Sequence, residues 1–232
     1  MKNEKIKNKV LVVAAHPDDE VLGCGGAIAR HSVEGDEVWV LILSEGFMAR
    51  KGEFAKERKK GLKILRKSAK KASKTLGVGR LILKDFPDNK FDSVALLDII
   101  QSIESVMSEF KPNIVYTHDY SDVNIDHRRV AEAVESATRP MKHSLVNQVL
   151  AFEVPSSSEW NFAKRSFFRA NVFIDIKNQI NKKVTALEHY SSEIRNFPHP
   201  RSIDYVRALA IVRGGQSGFI AAEGFSLIYK RE

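Results

Sequence analysis

"VLVVAAHPDDEVLGCGG", Val10 to Gly26, runs from an unbroken apolar segment into one histidine, three carboxylates and a glycine-rich tail. An apolar run without polar alternation reads as a strand buried on both faces, as in a parallel sheet. Pro17 biases His16 towards extended backbone, so His16 marks the end of that strand. A helix over Asp19–Glu34 follows.

Outward from this point the same alternation continues. "VWVLIL" (Val38 to Leu43) is a second continuous apolar run. Strands are expected at Val10–Ala15, Glu37–Leu43, Arg80–Leu83, Asn113–Thr117, Gln148–Val154 and Val172–Ile176, with a last strand just after Glu223. Helices are expected at Asp19–Glu34, Phe54–Leu76, Ser93–Phe110, Asp126–Thr138, Asn178–Ser192 and Ile203–Arg213. Strand–helix alternation implies right-handed crossovers and an α/β fold, a mostly parallel sheet with helices on both faces. With no internal repeat and no long low-complexity linker, residues 1–232 read as a single domain.

Composition agrees with a globular enzyme-sized chain: 232 residues, 43% hydrophobic and 28% charged. No apolar run approaches the roughly 20 residues of a membrane-spanning helix. The first ten residues hold lysines but no apolar core of a secretory signal. One cysteine, Cys24, excludes an internal disulfide and suits the cytoplasm. The net charge of +8 is concentrated in Ala49–Lys74. There Phe54, Leu62, Leu65, Ala69, Ala72 and Leu76 recur mostly three or four apart, an amphipathic helix with a basic outer face. That face is either simply solvated or attracts an anionic partner: a nucleotide- or lipid-linked substrate, or a membrane surface. Nucleic acid is not expected, because no aromatics interleave the basic residues.

Open parallel sheets bind ligands beyond the carboxyl ends of their strands. By chain order alone, His16, Ser44–Gly46, Asp85–Asp88 and His118 should therefore meet along one edge. Asp18 or Asp19 could cap the helix, but a cap explains neither the second aspartate nor the histidine. His16 and Asp19 could instead converge on one ion, since zinc accepts a His/carboxylate set with three protein ligands and an open position. The remaining carboxylate would stay off the metal and take a proton. "YTHDYSDVNIDHRRVAEAV" (Tyr116 to Val134) offers the third ligand, with His118, Asp119, Asp122, Asp126 and His127 all near the site. Opposite the His16 segment in a parallel sheet, His127 at the start of the following helix is a credible ligand.

"AAHPDDEVLGCGG", "DFPDNKFD" (Asp85 to Asp92), "DVNIDHRRV" and "ALAIVRGGQSGFIAAEGF" (Ala208 to Phe225) together resemble the LmbE/PIG-L family of zinc-dependent de-N-acetylases. The resemblance implies a Rossmann-like fold, a Zn²⁺ cofactor (or another divalent metal) and an N-acetylglucosamine-type conjugate as substrate. It also allows for a homo-oligomer. Residue by residue it implies His16, Asp19 and His127 as metal ligands and Asp18 as general base. Many members carry a histidine at the position of Asn124, where it helps stabilise the oxyanion. An asparagine amide can donate a hydrogen bond there but cannot supply a proton. Protonation of the leaving amine would then fall to Asp18 or to another group such as His118.

Asp126 reads either as a partner orienting an imidazole or as a helix cap. Substrate contacts are sought at Arg50, His118, Trp160, Arg201 and Arg213, for an amino-sugar conjugate that could be anionic. Glu223 either reaches the site or makes a structural hydrogen bond. Three rivals stand beside the deacetylase. A phosphate-cradling turn at Gly23–Gly26 is poorly placed, inside the helix instead of at the strand end. A metal-dependent hydrolase of another amide or of a phosphoester, and a non-catalytic carbohydrate binder, complete the set.

Overall fold

A computed structural model describes residues 7–44, 46, 55–142, 144–162 and 167–232, with the side chains of 55–59 left out. The strands are β1 (Lys9–Ala14), β2 (Glu37–Ser44), β3 (Arg80–Phe86), β4 (Ile114–His118), β5 (Gln148–Phe152), β6 (Val172–Asp175) and β7 (Ala222–Lys230). The helices are α1 (Asp19–Glu34), α2 (Ala55–Leu76), α3 (Leu96–Phe110), α4 (Ile125–Ala137), α5 (Ile180–Glu188) and α6 (Ile203–Ser217), with 3₁₀ turns at Phe91–Ser93 and Ser158–Trp160.

One sheet of order β3-β2-β1-β4-β5-β7-β6 runs through the molecule. The pairs from β3 to β5 are all parallel, whereas β7 is antiparallel to both β5 and β6. The alternating side chains of β1 serve two cores. Val10, Val12 and Ala14 pack with α1 and α2 on one face, and Leu11 and Val13, with Ala15 just past the strand, pack with α3 and α4 on the other. The α/β architecture with helices on both faces is the one expected.

Strand order reverses between β1 and β4, which places a crevice between their carboxyl ends. His16 and the segment 118–127 both emerge there. Helix α6 runs four residues past the expected Arg213 and stops at Gly218, whose φ of 76° provides a left-handed cap. Helix α5 is shorter at both ends than expected.

Helix α1 matches its expected span but is broken at Cys24, whose φ of −143° is non-helical. The flanking glycines make close approaches. A Cβ on Gly23 would lie 2.3 Å from Phe152, and one on Gly26 2.7 Å from Ile176. They are contact glycines, not a phosphate cradle. Across the break, Lys183 Nζ donates to the Leu22 carbonyl (2.8 Å) and pairs with Glu223 Oε1 (2.6 Å). The Glu223 carboxylate accepts the N–H groups of Gly26 (2.8 Å) and Ala27 (2.7 Å). Glu223 is thus a structural hydrogen-bonding residue, buried behind α1.

Candidate active site

Asp18 stands at the N-cap of α1 with φ 105°, yet its side chain caps nothing. The neighbouring Asp19 Oδ2 turns back to accept the His16 backbone N–H (2.8 Å). Helix capping therefore leaves both carboxylates unexplained. The left-handed backbone at Asp18 costs on the order of 1–2 kcal/mol for a non-glycine residue, and it turns the two carboxylates to different neighbours.

Three candidate ligand atoms form a nearly equilateral triangle. His16 Nδ1 and Asp19 Oδ2 are 3.2 Å apart, Asp19 Oδ2 and His127 Nε2 3.2 Å, and His127 Nε2 and His16 Nδ1 3.3 Å. A tetrahedral zinc with bonds of about 2.05 Å holds its ligand atoms about 3.3 Å apart. The second oxygen, Asp19 Oδ1, is buried with no hydrogen-bond donor among the described residues. The donor set, the spacing and the orphaned oxygen all fit a divalent cation. Among the described residues two clusters could hold it, His16/Asp19/His127 and His16/Asp88/Asp126, and the first has the two-histidine donor set and the orphaned oxygen.

Each imidazole is held from behind by a carboxylate. His16 Nε2 lies 2.9 Å from Asp126 Oδ2 and 3.3 Å from Asp88 Oδ1. Asp126 is itself fixed by the N–H groups of Asn89 (2.6 Å) and Phe91 (2.9 Å). His127 Nδ1 faces Asp122 Oδ2 at 3.1 Å. The hydroxyls of Ser157 and Ser158 donate to Asp122. Such partners fix the tautomer that presents the other ring nitrogen to a metal. Asp126 therefore orients His16, and the cap of α4 is Asn124, whose Oδ1 accepts the Asp126 N–H (2.8 Å). Asp122 has the same role towards His127. Its place as the partner of one particular histidine is visible only in the fold.

The electrostatics show the same demand for positive charge. Burial alone would lower the His16 imidazole, but hydrogen bonds to Asp126 and Asp19 raise it to about 10. Burial likewise opposes the charge on His127, and Asp19 and Asp122 raise it to about 9. Without an ion, protons take the place of the cation. Asp122 is buried, yet its bond to His127 holds it down at about 2. Asp18 is different: burial pushes its carboxyl up to about 8, against the pull of Arg201. The Arg201 guanidinium lies 3.2 Å from Asp18 Oδ2 and 3.6 Å from Glu193.

Beside the triad is a cavity of about 160 Å³, lined among others by His16, Asp18, Asp88, Asn124, Glu193 and Arg201. The capping bond at Asn124 Oδ1 identifies its other terminal atom as the amide nitrogen, which gives one hydrogen to Asn89 Oδ1 (3.4 Å) and has a second to donate. Arg201 lines the cavity as expected. Glu193 also lines it, and its polar helix-end context gives no signal in the sequence.

The remaining expectations divide. His118 is a correction: it is fully buried, its Nε2 accepts the Ala15 N–H (2.9 Å), and its ring stacks on His127 at 4.0 Å. Burial and the neighbouring His127 hold it well below the usual histidine range. It backs the site, with Nε2 3.6 Å from Asp19 Oδ2, and is not part of the cavity lining. Arg213 is also corrected. It is forked onto Glu153 (2.7 and 2.6 Å) on the far side of α1, away from the cavity. Trp160 is 42% exposed and edge-on to His199, outside the cavity lining. Arg50 lies outside the described residues.

The family model described as PIG-L, GlcNAc-PI de-N-acetylase, matches residues 11–138. The chain is 26% identical over 227 residues to a diacetylchitobiose deacetylase of Thermococcus kodakarensis, covering 95% of this chain and 83% of that one. It is equally 26% identical to a 4-oxalmesaconate hydratase of Pseudomonas putida, over 97% of this chain and 91% of the other. Among solved structures, the N,N'-diacetylchitobiose deacetylase of Pyrococcus horikoshii superimposes with a TM-score of 0.77 at 19% identity, covering 97% of this chain and 85% of that one. The family match takes in more than half of the sequence, from β1 through the end of α4, and with it every residue of the triad: the chain belongs to the PIG-L family.

Proposed function

We propose that the chain is a zinc-dependent hydrolase that removes the N-acetyl group from an N-acetylglucosamine-type conjugate, releasing acetate and a free amine. Asp18 carries the proposal: a buried carboxylate beside the triad that is not one of its ligands. A pure binding protein has no use for it. His16, Asp19 and His127 would hold the zinc, which when bound would supply a Lewis acid for the acetyl carbonyl and bring the pKa of water down to about 7.

The chain's own groups supply the rest. Asp18 takes the proton of the attacking water and passes it to the departing nitrogen. Buried beside the triad and paired with Arg201 at 3.2 Å, it is placed to accept the proton and return it. Asn124 Nδ2 donates to the oxyanion as negative charge develops. Arg201 holds the Asp18 carboxylate in place. With His118 buried and outside the cavity lining, Asp18 is the group that protonates the amine. A cavity of about 160 Å³ is smaller than the roughly 300–1,000 Å³ of common ligand pockets. It admits the acetamido end of a conjugate, with the remainder outside. A cytoplasmic setting is part of the proposal and suits the lone, buried Cys24.

The test is metal content of the purified protein alongside acetate release from a panel of N-acetylglucosamine conjugates, before and after chelation. Near-stoichiometric zinc with chelator-sensitive acetate release is expected. The hydratase relative motivates a second reading, addition of water to a carbon–carbon double bond. Hydration of 4-oxalmesaconate with no acetate from any sugar would replace the deacetylase reading with that one.

A further inference from the structure

Helix α2 carries ten lysines and arginines against one glutamate, a net charge of +9 in a chain whose total is +8. The rest of the molecule is close to neutral. From Arg58 to Lys84 the sequence holds no acidic residue at all. Leu65, Ala69, Ala72 and Leu76 turn inward to the core, and Leu65 also lines the active-site cavity. The opposite arc exposes Lys60, Lys63, Arg66, Lys67, Lys70, Lys71 and Lys74. At 1.5 Å per residue this arc is about 21 Å long.

We infer that this face of α2 docks the protein on an anionic lipid bilayer. The membrane is favoured over other anionic partners by the composition of the arc. Six of its seven cations are lysines, flexible point charges that read charge density, whereas bidentate recognition of single phosphates favours arginine. Ile64 is 48% exposed among them, and Leu62 lies in a groove with Lys63, Lys67 and Lys70. Apolar side chains set among lysines suit the headgroup boundary of a bilayer. A nucleic-acid face would instead offer aromatic platforms, and this arc has none. The helix inserts no apolar face, because its apolar side is already buried, so attachment is electrostatic and reversible.

The experiment compares the intact protein with the triple variant K63Q/K67Q/K70Q by co-sedimentation with vesicles. One vesicle is pure phosphatidylcholine and the other contains about one part in three phosphatidylglycerol, both at about 0.1 M salt. A lysine beside an anionic leaflet changes partition about fivefold, so the triple variant should bind about 100-fold more weakly. Circular dichroism and metal content check that the variant is folded. Binding to anionic vesicles alone, lost in the variant and in high salt, is the expected result. Equal binding to both vesicles, no binding to either, or an unaffected variant overturns the inference. Tighter binding to duplex DNA than to anionic vesicles overturns it in favour of a nucleic-acid face. Metal content and acetate release are scored separately, so failure here leaves the deacetylase reading untouched.

Discussion

Asp18 is buried, left-handed in backbone, and faced by Arg201 at 3.2 Å without being one of the triad atoms. A group so placed is expected to act on protons and not on the metal. Asp18→Asn keeps the size of the side chain and removes its basicity, so turnover should fall by about 10²–10⁴-fold with metal content unchanged. Acetate release and metal analysis of the same preparation check this; near-native turnover would remove Asp18 from the mechanism. Asp126 acts one step further out, through His16 Nε2. Asp126→Ala should weaken metal affinity about 10–100-fold, measured by chelator competition, and added metal should restore activity. His16, Asp19 and Asp18 were legible in sequence because one strand end and one helix turn present them together. The contact between Asp18 and Arg201 joins residues about four fifths of the chain apart, and only folding creates it. The same holds for His118. Its position at the end of β4 was readable, but which way its ring faces depends on the Ala15 N–H across the sheet.

Among elements, α1 shows how a local motif depends on remote packing. Its span follows from periodicity and glycine punctuation, but its break at Cys24 does not. The break is held from two distant segments, by Lys183 on α5 and Glu223 on β7. Lys183→Met leaves Glu223 buried with its charge unpaired, a change that typically costs about 3–5 kcal/mol. Urea unfolding of the metal-free protein should show that loss. A loss under about 1 kcal/mol would mean that backbone donors alone satisfy Glu223. The sequence marks β7 less clearly than β1 or β2 for a related reason. "AEGFSLIYK" mixes a buried glutamate and a glycine with an outer half that is partly exposed, so neither a continuous apolar run nor strict alternation marks its limits. Strands buried on both faces announce themselves; an antiparallel strand near the sheet's edge does not.

At the scale of the whole molecule, two charge distributions oppose each other: a basic surface on α2 and a buried acidic centre at the β1/β4 crevice. The first was legible from composition, since it lies in one continuous segment. The second was legible only in part, because Asp88, Asp122 and Asp126 reach their imidazoles through the topology of the sheet. The acidic centre gives the metal-free protein a characteristic pH response. His16 at about 10 and His127 at about 9 both lie above the ordinary value near 6.5. A histidine raised in the folded state contributes stability that is complete below its unfolded pKa and is lost as pH rises through the folded one. Asp18 at about 8 and Glu20 at about 7 are also raised, chiefly by burial, so they too lose stability with rising pH, though mostly at lower pH. The interval from about pH 8 to about pH 9.5 therefore reports mainly on the two imidazoles. There the melting temperature of chelator-treated protein should fall. The metal-loaded protein should not share that fall, because the ion replaces the two protons, and metal affinity should rise over the same interval. Melting curves of both forms at matched salt decide the matter. Parallel profiles for the loaded and stripped protein would mean that the ion does not sit where those protons do, and the triad would lose its assignment.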